Sequence, residues 1–194
     1  FYALGCHNHD LKLWHSAVAC NRRAIENGGM TRQEEAKAWH NLGWCLHHIG
    51  QLDEALAATL KAVELDASFA WGWVNLSAIH RLLDNNAEAL RCAKNAYAIA
   101  PDDPTVGMSL AFALLFSRKL AEGFKTFECR YKYALHNFLS YPYPKWTGEE
   151  GKNVFLVSDQ GLGDTLSLSR FIPLAAKRAK FLHVCIQPEL VRLG

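Results

Sequence analysis

The sequence predicts a mainly α-helical protein, in which a superhelical array of about four helix-turn-helix units precedes the start of an α/β domain. Two sets of residues recur every 34 positions, and the pattern changes beyond a segment rich in proline and glycine near residue 140. The recurring residues are the leucines Leu42, Leu76 and Leu110 and the small residues Ala55, Ala89 and Gly123. A helical unit of this length cannot bury its apolar face alone, so we expect the units to stack.

Composition is that of an ordinary globular protein and excludes several function classes. The 194 residues are 50% hydrophobic and 21% charged, with a net charge of +2 and scattered basic residues. This pattern gives no sign of a nucleic-acid partner. Six cysteines without any CxxC pair indicate neither a disulfide framework nor a zinc site, and they favour a reducing, cytoplasmic location. No apolar run is long enough to cross a membrane. We therefore expect no membrane association, no metal and no cofactor.

The clearest unit runs from Ala36 to Phe69. Its first helix, helix A, has apolar residues at spacings of three and four, and Gly50 marks the turn that ends it. Its second helix, helix B, carries alanines where two helices are expected to cross. Later units start at Ala70 and Pro104. A truncated unit precedes Gly28, and we expect the stretch 27–33, which adds four residues to the period, to form a loop.

These offsets resemble the tetratricopeptide repeat family, which forms a right-handed superhelix with helices A on its concave side. The resemblance implies a protein or peptide ligand in the concave groove. The residues predicted to line that groove are Lys37, His40, Asn41, Trp44, His47, His48, Trp71, Val74, Asn75, Ala78 and Arg81.

Asn41 and Asn75 occupy equivalent positions in consecutive units. An amide side chain can both donate to and accept from a peptide backbone, so a row of asparagines can hold an extended chain. The arrangement resembles the asparagine ladder of O-linked N-acetylglucosamine transferases. The alternative is that asparagine merely suits the repeat fold at this position.

We predict that residues 1–139 form the repeat array, that residues 140–152 form a linker and that residues 153–194 begin a second module. Val154–Val157 and Leu182–Ile186 are predicted strands, and the stretch 166–179 between them is a predicted helix. A strand, a glycine loop, a helix and a strand make a partial Rossmann-like βαβ unit.

The loop before this helix contains Gly161, Gly163, Asp164 and Thr165. Free N–H groups at such a turn can hold an anion, although a tight strand-to-helix turn explains the glycines equally well. Leu166 replaces the third glycine of a dinucleotide fingerprint, so the loop does not indicate a nucleotide cofactor.

The run QGLGDTLSLSRFIPLAAKRA (160–179), preceded by Trp146 and Gly148 and followed by Gln187-Pro188, resembles a family of bacterial proteins. These proteins join tetratricopeptide repeats to a heptosyltransferase-like, GT-B type glycosyltransferase domain. The resemblance implies that Asp164 is a candidate general base, whereas a helix N-cap is its other reading.

The resemblance also implies a second lobe that binds a nucleotide sugar. Only 42 residues follow the linker, which is too few for even one such lobe. We therefore expect this chain to be a segment of a longer protein and to be inactive as a transferase by itself. The alternative is a stand-alone protein-binding or assembly module without transferase activity. Under either reading, the exposed apolar end of the solenoid offers a surface for self-association.

Overall fold

The computed structural model describes residues 11–132, 144, 146–158, 169–186 and 188. The chain divides between residues 135 and 136 into two compact units. The elements of the first unit are α1 (Leu11–Asn27), α2 (Arg32–His48), α3 (Leu52–Leu65), α4 (Ala70–Leu82), α5 (Asn86–Ile99), α6 (Pro104–Phe116), α7 (Leu120–Phe127) and a 3-10 helix (Glu128–Lys132). No helix in the described residues combines the length and the apolar character needed to cross a membrane.

The first unit is an array of helix-turn-helix pairs, which confirms the predicted fold class. Helix α2 packs against α3, α4 against α5, and α6 against α7. Successive helices A also touch, because α2 packs against α4 and α4 against α6. Within the described residues, no comparable packing joins α3 to α5. We therefore call α2, α4 and α6 the inner layer, and α1, α3, α5 and α7 the outer layer.

The residues that recur every 34 positions form the core of this array. The leucines at the first recurring position, in α2, α4 and α6, are all buried. The small residues at the second position, in α3, α5 and α7, are buried where the paired helices meet. The period therefore marks the positions at which each unit packs against its neighbours.

The pair α2 and α3 approaches closely at Gly43. A side chain there would collide with Oγ1 of Thr59, so only glycine fits this crossing. Thr59 is fully buried and donates from Oγ1 to the carbonyl oxygen of Ala55 over 2.7 Å. It also accepts from Nδ2 of Asn75 in α4 over 3.1 Å. This buried polar contact links the pair α2 and α3 to the pair α4 and α5.

Residues 28–31 form the loop between α1 and α2, within the stretch 27–33 where the sequence predicts one, and α2 itself is one turn longer than its counterparts. Helix α2 has 17 residues, and α4 and α6 have 13 each. Thr31 and Glu34 form a capping box in which the backbone N–H of Thr31 donates to Glu34 Oε2 over 2.8 Å. This cap satisfies two N–H groups at the new helix start, so helix is favoured over loop from Arg32 onward.

The last unit departs from the pattern where the sequence does. Helix α7 has 8 residues, compared with 14 in each of α3 and α5, and it continues as the 3-10 helix. Cys129 in the 3-10 helix lies against α6, where its Sγ would meet a Cβ added at Gly107. The change to 3-10 geometry occurs just before Arg130, which lies one repeat period after the small, buried Ala96 of α5.

The second unit contains the strands β1 (Asn153–Val157) and β2 (Phe181–Cys185), with helix α8 (Ile172–Arg178) between them. The strands pair in parallel, with Val154 opposite Leu182. This is the arrangement expected of a partial βαβ element. Parallel sheets are usually covered on both faces. In this pair of strands, however, the face that carries Phe155 and Phe181 is exposed.

We predict that Gly43→Ala lowers the free energy of unfolding by about 1–3 kcal/mol, because the added methyl group forces α2 and α3 apart. Urea unfolding of the purified chain measures this change. Thr59→Ala removes the oxygen that the methyl group would meet. The loss in the double variant should therefore be smaller than the sum of the single losses. Strictly additive losses would show that the cost of the added methyl group does not come from its collision with the Thr59 hydroxyl.

Candidate functional site

The candidate binding surface is the set of inner-layer positions that the repeat period aligns, and we call it the inner face. Each of its three helices contributes six positions. These are Lys37, His40, Asn41, Trp44, His47 and His48 in α2; Trp71, Val74, Asn75, Ala78, Arg81 and Leu82 in α4; and Thr105, Met108, Ser109, Phe112, Leu115 and Phe116 in α6.

A cluster of four rings forms at the end of α2. His48 stacks on Trp14 of α1 with ring centroids 4.4 Å apart, and it lies 4.4 Å from the ring of Trp44. Its Nδ1 lies 2.9 Å from the carbonyl oxygen of Trp44. His47 completes the cluster, at 5.7 Å from Trp44 and 5.1 Å from His48. Trp44 and His48, predicted separately from the sequence, therefore form one aromatic surface, to which α1 adds Trp14.

His47 lies between this cluster and α4. Burial is the largest cause that lowers the pKa of His47, followed by the neighbouring charges of His48 and Arg81. The side chain of Asn75 opposes the shift weakly. Even so, neither His47 Nδ1 nor Asn75 Oδ1 has a hydrogen-bond partner of good geometry within the described residues. This part of the inner face therefore favours neutral imidazole and leaves two buried polar atoms unsatisfied.

His40 packs into the array, although the sequence predicted that it lines the groove. Its ring meets the edge of Phe69 with centroids 5.0 Å apart, and its Nδ1 is buried without a partner in the described residues. Burial lowers the pKa of His40 to about 4. His40 is therefore neutral near pH 7 and supports the packing of α2 on the segment before α4.

Asn75 is also turned away from the groove. Only 1% of its surface is exposed, because its amide lies against Thr59. The proposed two-membered ladder therefore lacks its second exposed amide. Asn41 is half-buried and Lys37 is exposed, so both remain candidates for contact with a ligand.

Arg81 forms the second cluster of the inner face, together with two aromatic residues of α6. Its guanidinium carbon lies 5.3 Å from the ring centroid of Phe112 and 5.2 Å from that of Phe116. The sequence reasoning named Arg81 but missed both phenylalanines. Phe112 and Phe116 lie two repeat periods after Trp44 and His48, so the period would have predicted both.

A separate concavity of about 450 Å³ lies between α1 and α3 and is also lined by residues of α2. Its lining includes Ile25, Trp39 and Ala58, and the ion pair between Arg22 and Glu54 lies at its border. The ring of Trp39 is held there by a hydrogen bond from Nε1 to Oε1 of Glu35 over 3.2 Å. Among the charged residues of its lining, Arg22, Glu54 and Lys61 are held in ion pairs, so their charges are less available to a ligand than those of the inner face.

The candidate residues of the second module lie outside the described residues. They are Gly161, Gly163, Asp164 and Thr165. Among the residues that the structure does describe, no group of three or more histidine, cysteine, aspartate or glutamate side chains is arranged to hold a metal ion.

Comparison with known proteins identifies the repeat and its fold. Residues 36–69 match the tetratricopeptide repeat model, in the register read from the sequence. Two solved structures of the protein MamA are similar to the chain, one at 18% identity with a TM-score of 0.53 and the other at 19% with a TM-score of 0.52. They cover 63% and 65% of this chain and 70% of each MamA chain. No curated protein matches it in sequence. The array therefore has the tetratricopeptide-repeat fold.

We predict that His40 makes the stability of the array depend on pH between about 6.5 and 4. Its pKa is lowered to about 4 in the folded state, so the unfolded state binds the extra proton first as the pH falls. Stability should be complete above pH 6.5 and decrease by up to about 3 kcal/mol as the pH approaches 4.

Urea unfolding at a series of pH values, for the native chain and for His40→Leu, measures this contribution. The difference in the free energy of unfolding between the two proteins should be constant above pH 7. Below pH 6 it should shift in favour of the variant. Parallel curves over the whole range would mean that His40 does not titrate with the unfolding reaction.

Proposed function

We propose that the inner face binds an extended segment of a partner protein. The observation that supports this proposal is the concentration of ring side chains on the helices that line one side of the array. Trp44, Phe112 and Phe116 all belong to this layer, and Phe116 is 56% exposed. Exposed aromatic residues gathered on one face are typical of protein-interaction surfaces.

An extended segment fits the spacing of these groups better than a compact ligand does. The two ring clusters lie at the C-terminal ends of α2 and α6, with α4 between them. A partner that contacts both clusters must pass along the inner layer from one helix to the next. Asn41 and Lys37 lie on the first of these helices, where an amide and an ammonium group can bond the backbone of the passing chain.

We further propose that the second unit belongs to a glycosyltransferase-like domain, for which the repeat array presents a protein acceptor. Parallel pairing of β1 and β2 around α8 supports a Rossmann-like beginning. In such a domain the loop after β1 lies at the carboxyl end of a parallel strand, where α/β folds bind their ligands. Asp164 would then accept a proton from the acceptor hydroxyl, and a nucleotide sugar would bind elsewhere in a longer protein.

We predict that Asn41→Ala weakens binding of a peptide to the inner face about 3- to 10-fold, because a backbone hydrogen bond is lost. The probe is a 12-residue peptide selected from a random display library, and calorimetric titration measures its affinity. Asn95→Ala is the matched control, because Asn95 is also half-buried but lies on α5 in the outer layer. If Asn95→Ala weakens peptide binding more than Asn41→Ala does, the peptide binds to the outer layer.

We predict a different outcome for Asp164→Asn in a protein that contains this segment and a complete transferase domain. Asparagine caps a helix about as well as aspartate, so the melting temperature should change little. Asparagine cannot accept the proton, so turnover should fall by roughly 10²- to 10⁴-fold. Unchanged turnover, measured by release of the nucleotide from the donor sugar, would leave Asp164 as a helix cap only.

A further inference from the structure

Arg81 is a cation held largely by apolar surroundings. It lies in the last turn of α4, and its guanidinium lies over the rings of Phe112 and Phe116. Burial of the side chain lowers the pKa of Arg81, although the group stays charged near neutral pH. A charge removed from water in this way is costly unless an opposite charge approaches it.

The carboxylates that follow Arg81 in the sequence bond to other side chains. Asp84, the acidic residue nearest in sequence, accepts from Nδ2 of Asn86 over 3.1 Å. Glu88 at the start of α5 pairs with Arg91. In the described parts of the chain, all ion pairs lie in the outer layer, and none includes Arg81.

The inner face as a whole carries positive charge without any acidic residue. None of its positions, as defined above, is an aspartate or a glutamate, whereas they include the basic residues Lys37 and Arg81. The charge of Arg81 lies close enough to His47 to help lower the pKa of His47. An incoming carboxylate would therefore meet attraction along this face and no like charge from it.

The surface beside Arg81 is apolar and open. Leu82 and Phe116 are 54% and 56% exposed, and they occupy equivalent positions on neighbouring helices. The ring of Phe127 packs against Phe112, with ring centroids 5.7 Å apart. A guanidinium that lies over such rings keeps its in-plane N–H donors available for the two oxygens of a carboxylate.

We propose that the patch formed by Arg81, Leu82, Phe112 and Phe116 binds an acidic side chain of the partner segment together with an adjacent apolar side chain. The carboxylate pairs with Arg81, and the apolar side chain covers Leu82 and Phe116. This inference rests on the proposed function, because it names the chemistry of the segment that the inner face binds. It commits to an internal aspartate or glutamate rather than to a chain terminus.

The test is a selection of random 12-residue peptides, with both ends capped, on three proteins. These are the native chain, Arg81→Gln, and Arg23→Gln as the matched control, since Arg23 is an exposed arginine on α1. The native chain and the control should enrich acidic residues next to aliphatic or aromatic ones. Arg81→Gln should lose the acidic preference. Circular dichroism verifies that all three proteins are folded.

A double-mutant cycle then isolates the contact. Replacing the selected glutamate of one enriched peptide by glutamine should weaken its binding to the native chain about 10- to 100-fold. The same replacement should change little when the protein is Arg81→Gln. Arg81→Lys should recover only part of the affinity, because an ammonium group lacks the planar donors and the stacking. Phe116→Ala should weaken all enriched peptides and leave the acidic preference intact.

Peptide binding by the inner face and recognition of a carboxylate by Arg81 are contradicted by different results. If no peptide is enriched on the native chain, the proposed function is wrong. If peptides bind but are not acidic, or if Arg81→Gln keeps the acidic preference, the inner face binds peptides and the assignment to Arg81 is wrong. If binding appears only for peptides with a free carboxyl terminus, the ligand is a chain end and the internal carboxylate is excluded.

Discussion

The close approach of α2 and α3 at Gly43 is the constraint on which the central part of the array depends. Without a side chain at this position, the hydroxyl of Thr59 lies against the backbone of α2. The positions one and two periods later hold Ser77 and Ala111, which are also small and buried. Small residues at each crossing let paired helices pack closely. Close packing in turn places the inner helices near enough to touch one another.

The contact between Thr59 and Asn75 shows how this packing changes the chemistry of the inner face. The amide is drawn into the space between two helix pairs, where it satisfies the threonine hydroxyl. A polar group that bridges two repeats fixes how one pair sits on the next, because its alternative is an unsatisfied buried donor. The polar group that Asn75 would otherwise add to the inner face is therefore held between two helix pairs, whereas Asn41 is only half-buried.

The two layers of the array separate their charges. Ion pairs in the described residues belong to helices of the outer layer, where both partners are solvated. In the inner layer, the guanidinium of Arg81 lies among aromatic side chains, over the rings of Phe112 and Phe116. Partly desolvated charges interact more strongly with a ligand than exposed charges do, since water screens them less. This separation is why the inner face, rather than the concavity beside Trp39, is the candidate binding surface.

The sequence by itself determined the repeat period, the buried leucines and small residues, and several helix ends, such as the turn at Gly50 where φ is +81°. It also determined the two strands of the second unit to within one residue. These features follow from local periodicity and from backbone preferences, which neighbouring residues alone decide. Only the tertiary structure decided that Asn75 and His40 turn inward and that Arg81 meets two phenylalanines of the next inner helix. A repeat period states which residues share one side of a helix. Whether that side faces a groove or a neighbouring helix depends on crossing angles, and those are set by side-chain volumes from helices far apart in sequence.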